Sequence, residues 1–142
     1  MKKFELTSET KAFFGKTLYR IRALISFGDV SAGDLGGFVE KEENLDQSGN
    51  AWVYGNARVD GDARVDKIGA IFWVGAVGSR NDTTTFFKCK DGKIRVTCGC
   101  FFGDLTEFAE KVNETHGENE YGEVYMLAIE MAKARISLEG ER

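Results

Sequence analysis

The sequence predicts a mainly β protein with α-helices in its C-terminal part, built around a short parallel β-solenoid. Three observations support this prediction. Residues 49–66 repeat a unit of six residues three times, written GNAWVY, GNARVD and GDARVD. Two β-type runs are joined by Asp91 and Gly92, which is a strong hairpin signal. Two helical patterns follow this hairpin.

The six-residue unit predicts the solenoid. Alanine and valine alternate within each unit as in a short strand, and the Gly-Asn or Gly-Asp pair supplies a corner that favours positive φ. Three units form one triangular coil whose inward residues are Ala51, Val53, Ala57, Val59, Ala63 and Val65. One coil cannot bury its own ends. A step of three units leads back from Val53, Ala57 and Ala63 to Leu35, Val39 and Leu45. It leads forward from Val53, Ala57 and Val59 to Ile71, Gly75 and Val77. We therefore expect two to three coils over residues 31–78.

The segments on either side of the solenoid have different patterns. Residues 1–30 predict an N-terminal β cap, because residues 18–24 alternate and place Arg20 and Arg22 on one face of a strand. Gly-Asp and Gly-Gly pairs between 28 and 40 indicate tight turns. Residues 79–142 predict a small β-meander followed by a helical hairpin. Runs 83–90 and 93–100, with 71–77, predict a three-stranded antiparallel sheet.

The two predicted helices complete this C-terminal module. Asp104 and Glu107 form a capping-box pattern that opens the first helix, and Gly117 is expected to end it. The second helix is expected over about 120–136, because apolar residues recur there with helical spacing.

Composition limits the class of protein. The chain has 142 residues, 42% of them hydrophobic and 30% charged, without an apolar run near the roughly 20 residues of a membrane span. The N-terminal residues do not resemble a secretory signal, and three cysteines favour a reducing compartment, so we expect a cytoplasmic protein without membrane contact. A net charge of −4 makes nucleic acid an unexpected partner. The charge is uneven, with +4 over residues 67–101 and −6 over residues 102–142.

The order of the blocks resembles a known group of proteins. GDLGGFVE at 33–40, GNAWVYGNARV at 49–59 and GSRNDTTTFFKCKDGKIRVTCGCFFGDLTEFAEKVNETHG at 78–117 are similar to small proteins of bacteriophages and prophages, whose repeats often run longer. The resemblance implies that the solenoid is a left-handed parallel β-helix. It also implies a phage origin, with the protein acting in the cytoplasm of the host cell.

Candidate catalytic and metal-binding residues are few in the sequence. Six-residue solenoids are familiar from acyltransferases, but the chain has one histidine, His116, at an expected helix end, where it would interact with the helix dipole. We therefore expect that the chain is not an enzyme. Cys89, Cys98 and Cys100 do not have zinc-site spacing and predict buried thiols, so neither a metal nor a cofactor is expected.

The outward positions of the repeat are the candidate binding residues. Trp52, Arg58 and Arg64 occupy such positions, and Arg20 and Arg22 lie on the adjoining strand, so these five residues are expected to bind a ligand or partner. The doublets Phe13-Phe14, Phe86-Phe87 and Phe101-Phe102 each direct one ring away from the core unless a second layer covers it. A helical layer, a second copy of the chain or a ligand could cover such rings.

Three functions fit these observations. The first is a non-catalytic binding protein of a phage or prophage that inhibits a host defence system, such as CRISPR or nucleotide-signalling immunity, by binding a host protein. The second is a structural scaffold that works through its own assembly. The third is a sponge for an anionic nucleotide, held by Arg20, Arg22, Arg58 or Arg64 and stacked on Trp52. Exposed edges of a short solenoid predict a homodimer or another homo-oligomer.

Overall fold

The computed structural model describes residues 2–77, 82–99 and 101–140, with the backbone alone at 76 and 137–140. These residues form two four-stranded sheets and two α-helices. The elements in chain order are β1 (Phe4–Phe13), β2 (Lys16–Ala23), β3 (Leu35–Val39), β4 (Arg58–Val59), β5 (Ile71–Val77), β6 (Asp82–Lys88), β7 (Ile94–Cys98), β8 (Phe101–Asp104), α1 (Leu105–His116) and α2 (Glu120–Gly140). Two 3₁₀-helices cover Glu42–Asn44 and Ile68–Ala70.

The first sheet has the order β1-β2-β3-β4. The pairs β1-β2 and β2-β3 are antiparallel, whereas β3 and β4 are parallel. The six alanines and valines predicted to point inward are all buried. They pack in one hydrophobic core with residues of β1, β2 and β3. The repeat pattern therefore identified the inward positions correctly.

The stacking step between coils is longer than the predicted step of three units. Val39 pairs with Val59 and Leu45 pairs with Val65, both in parallel, so each step exceeds three units by two positions. Val39 and Leu45 are six residues apart, as are their partners Val59 and Val65, so the two extra residues lie in the corner between Leu45 and Ala51. With the longer step, Val59 and Val65 pair with the hydrophobic residues Val39 and Leu45. With a step of three units they would pair with Lys41 and Gln47.

Gly36 and Gly37 belong to strand β3 and not to the tight turn that the sequence suggested. A Cβ atom at Gly36 would lie 2.6 Å from the carbonyl oxygen of Val53, and one at Gly37 would lie 2.5 Å from that of Ala57. The amide of Gly37 donates to Val53 O at 2.6 Å. The glycine pair is required because the next segment of the chain passes directly against the backbone.

The second sheet is an antiparallel meander with the order β5-β6-β7-β8. It contains the three predicted strands and a fourth, β8, which the sequence analysis left unassigned. Strand β8 leads directly into α1, where Asp104 accepts a hydrogen bond from the amide of Glu107 at 2.8 Å. The capping box predicted from these two residues is therefore present.

Strand β6 is buried on both faces of the second sheet. Phe86 packs with Phe108 and other residues of α1 and α2, whereas Phe87 packs in the core of the six-residue repeats. The Phe86-Phe87 doublet is thus covered by two different layers. The sheet lies between the repeats on one side and the helical hairpin on the other.

Two threonine hydroxyls join the second sheet to the short strand β4. The amide of Arg58 donates to Thr85 Oγ1 at 3.1 Å, and Thr97 Oγ1 donates to the carbonyl of Arg58 at 2.8 Å. Both threonines are buried. Because an unpaired buried backbone group is costly, these two bonds hold the end of the repeats against the sheet.

Neither helix among the described residues has the length and apolar character needed to cross a membrane.

Asn44 is a buried polar residue whose hydrogen-bonding groups are all used. Its Oδ1 accepts from the amides of Glu40 and Lys41, both at 3.1 Å. Its Nδ2 donates to the carbonyls of Gly61 and Ala63 at 3.0 and 3.2 Å. The Asn44 side chain therefore connects the segment that follows β3 to the stacked segment that contains Gly61 and Ala63.

We predict that Asn44→Ala lowers the free energy of unfolding by about 3 kcal/mol, because four backbone groups lose this partner, including the buried carbonyl of Ala63. Chemical denaturation measures this change. The control is Asn50→Ala, at an exposed corner of the repeat, which should change the free energy by less than about 0.5 kcal/mol. Equal effects of the two substitutions would contradict the assigned role of Asn44.

Lys3 covers carbonyl groups at a corner of the solenoid. Its Nζ lies 2.7 Å from Ala51 O, 3.3 Å from Ser48 O and 3.4 Å from Gly49 O, and the residue is buried. Burial lowers the pKa of this ammonium, and the nearby carboxylate of Asp46 opposes the shift in part. The folded chain thus binds this proton less tightly than the unfolded chain.

We predict that the contribution of Lys3 to stability rises with pH. Between the lowered pKa of Lys3 in the folded chain and the usual lysine pKa of about 10.4, the unfolded state binds more protons than the folded state. The contribution of Lys3 to stability therefore increases with pH over this range. The difference in unfolding free energy between the native chain and Lys3→Met should therefore grow between pH 7.5 and pH 10. Chemical denaturation at several pH values measures this difference. A difference for Lys3→Met that stays constant over this range would show that the pKa of Lys3 is not lowered.

Candidate functional site

The structure places the five predicted binding residues in different environments. Trp52 was expected to face outward, and this prediction is wrong: the indole is 2% exposed. It packs edge-on against Phe4 and Phe27, at centroid distances of 6.3 and 5.3 Å. The N-terminal strand and the loop after β2 cover this side of the repeat, so Trp52 belongs to the core.

Two of the four predicted arginines meet on one face of the first sheet. Arg20 pairs with Phe38 across β2 and β3, and Phe38 pairs with Arg58 across β3 and β4. The three residues therefore form a row across the sheet. The Arg20 guanidinium lies 4.4 Å from the centroid of Phe38, and that of Arg58 lies 4.5 Å from the centroid of Phe13.

The other two arginines lie elsewhere. Arg22 pairs with Glu5 on the β1-β2 hairpin, and its partner on β3 is Leu35. Arg64 is exposed, and its amide donates to Lys88 O at 2.8 Å, on the side where the repeat meets β6. Arg20 also binds Glu9 at 2.8 Å and Gly36 O at 2.7 Å, so its guanidinium is fixed in place.

Further cations lie on the same face of the sheet as Arg20 and Arg58. Lys11 Nζ is 4.9 Å from the centroid of Phe38, and Lys16 Nζ is 5.8 Å from that of Phe102. Lys16 also pairs with Asp60 at 3.2 Å. We refer to Lys11, Phe13, Lys16, Arg20, Phe38 and Arg58 as the cationic face. Phe13 and Phe38 anchor it, because they are buried together with Leu18.

Two exposed rings adjoin the cationic face. Phe14 is 52% exposed and Phe102 is 40% exposed, and their centroids are 4.6 Å apart. Phe13 contacts both rings, at 4.8 and 6.1 Å. We refer to Phe14 and Phe102 as the aromatic pair. A flat ring with an exposed π-face is a surface on which a nucleobase or another planar group can stack.

The backbone of Phe14 is strained. Phe14 and Gly15 form the two-residue turn between β1 and β2, with φ values of 50° and 77°. Such turns favour Asn-Gly, because a bulky residue at positive φ costs of order 1–2 kcal/mol. The chain therefore keeps a large exposed ring at a position where a small polar residue would be more stable.

A polar cleft of about 190 Å³ includes two residues of the cationic face. It is lined by Lys11, Asn56, Arg58, Asp82, Thr83 and Gly99. Arg58 Nη2 donates to Gly99 O at 3.0 Å, which orients the guanidinium within the cleft. Two cations and one carboxylate give the cleft a net positive charge, so it favours an anionic group.

A second small cleft, of about 100 Å³, lies on the helical side of the second sheet. Cys98, His116 and Tyr125 line it together with residues of α1. The Cys98 thiol accepts a hydrogen bond from Thr84 Oγ1 at 3.1 Å and donates to Tyr125 Oη at 3.7 Å. Tyr125 stacks on the His116 ring at 5.7 Å. Burial and the neighbouring Cys98 raise the pKa of Tyr125, which keeps its hydroxyl protonated.

The two sites lie on opposite faces of strand β8. Phe101 packs against Phe108 on the helical side, whereas the next residue, Phe102, packs against Phe14 on the other side. The sheet therefore separates His116 from the cationic face within one chain. Within one chain, His116 is therefore not a base for a group bound on the cationic face.

Sequence reasoning missed most of the cationic face and the aromatic pair. The residues not among the predicted site residues are Lys11, Phe13, Lys16 and Phe38 of the cationic face and both rings of the aromatic pair. The signal that could have identified the aromatic pair is the Phe doublet, since Phe13-Phe14 and Phe101-Phe102 each direct one ring outward. Phe38 and the lysines gave no local signal, because their position depends on how β2, β3 and β4 pair.

The cysteines differ in exposure. Cys89 is buried, and burial raises the pKa of its thiol to about 11. Cys98 is half-buried and lines the small cleft, and Cys100 lies outside the described residues. Of the residues described, no three histidine, cysteine or acidic side chains are grouped so that they could hold a metal ion.

We predict that, at pH 7.5 in a Cys100→Ser background, iodoacetamide alkylates Cys98 at least tenfold faster than Cys89. The Cys89 thiol is both covered and protonated, and the thiolate is the form that reacts. Peptide mass spectrometry of timed samples measures both rates in the same molecule. Equal rates in the folded protein would mean that Cys89 is more accessible than its burial indicates.

Comparison with known proteins identifies a relative but no matching family model. The chain is 34% identical over 105 residues, or 68% of its length, to a protein of Escherichia coli strain K12 described as the uncharacterized acetyltransferase YdcK. The chain spans 28% of the length of this curated relative. The similarity fits the six-residue repeat, which acyltransferases also contain.

The relative corrects one prediction. The expectation that the chain is not an enzyme, and that acyl transfer can be set aside, is contradicted by similarity to a protein described as an acetyltransferase. The phage origin, inhibition of host defence, a host-protein partner, homo-oligomer formation and the cytoplasmic location are not addressed by this comparison and stay predictions.

Proposed function

We propose that this chain takes part in acetyl transfer and that its own share of the reaction is to bind the acyl donor on the cationic face. The observation that carries the proposal is the 34% identity to an acetyltransferase over 105 residues. Because the chain spans 28% of that relative, the proposal concerns the part of the activity that these residues can supply.

The chemistry of an acetyl donor fits the cationic face. Acetyl-coenzyme A joins an acetyl thioester to an adenine nucleotide with several phosphate groups. Such a ligand requires a flat apolar surface for the base and cations for the phosphates. The aromatic pair offers the first, and the cleft lined by Lys11 and Arg58 offers the second.

The fold supports a rigid binding surface. We propose that residues 31–78 include a short left-handed β-helix, as the resemblance of the repeat implies, and that β1 and β2 cap it. The parallel pairs Val39-Val59 and Leu45-Val65 support stacked coils. Arg58 lies within this stack and its backbone is held by two threonines, so its side chain requires little reorganisation on binding.

The acetyl acceptor requires a base that removes its proton, and the cationic face of a single chain lacks a histidine. His116 lies behind the second sheet, away from a ligand bound on the cationic face of the same chain. The proposal therefore assigns donor binding to the cationic face and assigns no catalytic residue there.

We predict that the native chain binds coenzyme A and that Phe14→Asn weakens this binding at least fivefold. The substitution removes a stacked ring, which contributes about 1–3 kcal/mol per base. Asparagine tolerates positive φ, which offsets the loss of the ring contacts with Phe13 and Phe102, so the free energy of unfolding should change by less than about 1 kcal/mol. Isothermal titration calorimetry and chemical denaturation of the same samples measure both quantities.

Paired lysine variants test the charge. Lys11→Gln should weaken binding several-fold and reduce its dependence on salt, whereas Lys90→Gln, at an exposed hairpin turn away from the cleft, should leave it unchanged. Release of free thiol from acetyl-coenzyme A, with amine and hydroxyl acceptors present, measures transfer. The proposal fails if coenzyme A does not bind at 1 mM, or if Lys90→Gln weakens binding as much as Lys11→Gln.

A further inference from the structure

Helix α2 carries apolar residues on both sides. Its inner side packs against the second sheet and α1 through Tyr125, Ala128, Ile129, Ala132 and Ile136, all buried. Its outer side carries Val124, Leu127 and Met131, which are 42%, 61% and 59% exposed. Apolar side chains that cluster on an exposed surface mark an interaction site more often than isolated ones do. The outer side is thus suited to a further layer.

A groove runs between the outer sides of α1 and α2. Its volume is about 500 Å³, within the range of binding clefts in proteins. Ala109 and Val112 of α1 and Met126 and Leu127 of α2 form its apolar surface. Gly117 and Gly122 line the end where the chain turns from α1 into α2. Small residues there keep the end of the groove open.

The rim of the groove is acidic. Glu118, Glu123 and Glu130 line it, and Lys133 pairs with Glu130 at 3.6 Å on the helix surface. The segment 102–142, which contains both helices, has ten acidic and four basic residues. Two copies facing each other through this groove would bring like charges together, which disfavours self-association here. Anionic lipid headgroups would be repelled for the same reason.

We propose that this groove binds an amphipathic helix of another protein, with apolar residues at i, i+3 or i+4 and i+7 and with lysine or arginine on its flanks. The apolar residues would enter the groove over Leu127 and Met126, and the flanking cations would meet the glutamates of the rim. Helix-in-groove recognition of this kind depends on a few apolar anchors, and charge selects the partner. The interaction does not depend on acetyl transfer, because the groove is formed by the helices alone.

Two synthetic peptides of equal length test the proposal. Both carry leucine at positions 2, 5, 9, 12 and 16, and they differ in having lysine or glutamate at the flanking positions. Fluorescence anisotropy in 100 mM NaCl measures binding to the full chain. We expect the lysine peptide to bind at least tenfold more tightly than the glutamate peptide, with weaker binding in 500 mM NaCl.

Matched variants locate the interaction. Leu127→Ser should weaken binding of the lysine peptide at least tenfold, and Glu123→Gln with Glu130→Gln should weaken it about threefold to tenfold and reduce its salt dependence. Leu35→Ser is the control, because Leu35 is similarly exposed, at 56%, but lies on β3 in the first sheet. It should leave the affinity unchanged. Melting temperatures of all variants should stay close to that of the native chain, since these side chains are exposed.

Several results would overturn the proposal. It fails if the folded chain binds neither peptide at 1 mM, if it binds both equally, or if Leu35→Ser weakens binding as much as Leu127→Ser. Light scattering that shows a dimer converted to a monomer by Leu127→Ser would assign the groove to a second copy. Binding to phosphatidylglycerol vesicles that Leu127→Ser abolishes would assign it to a membrane surface.

Discussion

The structure depends on how strand β6 closes the end of the repeats. A short stack of coils has an open end with unpaired backbone groups and exposed alanine and valine side chains. Strand β6 and its neighbour β7 cover this end with Phe87 and satisfy the backbone of Arg58 with Thr85 and Thr97. The opposite face of β6 holds the helices through Phe86. One strand therefore supports both the repeats and the helical hairpin, and neither layer has a complete core without it.

The same contact determines the geometry of the cationic face. Because both backbone groups of Arg58 are bound to the second sheet, its side chain leaves β4 in a fixed direction, toward Phe13 and Gly99. Strand β3 then places Phe38 between Arg58 and Arg20. Distant parts of the sequence thus contribute to one surface through strand order. This arrangement explains why acetyl-donor binding is assigned to this surface and not to the helical side, where His116 lies.

Local chemistry made part of the structure predictable, and long-range packing made the rest unpredictable. Alanine and valine at six-residue spacing identify the inward positions, and Asp104 with Glu107 identifies the start of α1, since both signals depend on neighbouring residues. The longer step between coils follows from a longer corner between Leu45 and Ala51, which the regular spacing of the later units does not reveal. Trp52 was misplaced because the residues that cover it, Phe4 and Phe27, lie far away in the sequence. The expectation of no enzymatic role rested on the lack of a catalytic group in one chain, which does not exclude a donor-binding module.

The position of Lys3 has a consequence for how the N-terminal segment and the repeat depend on each other. The Lys3 ammonium donates to three carbonyl groups of one corner, and the Lys3 amide donates to Gln47 Oε1 at 2.8 Å. A residue directly before strand β1 therefore closes a corner that lies far away in the sequence. Separation of the N-terminal residues from the sheet would leave these carbonyls without their donor, so this corner would open together with the N-terminus.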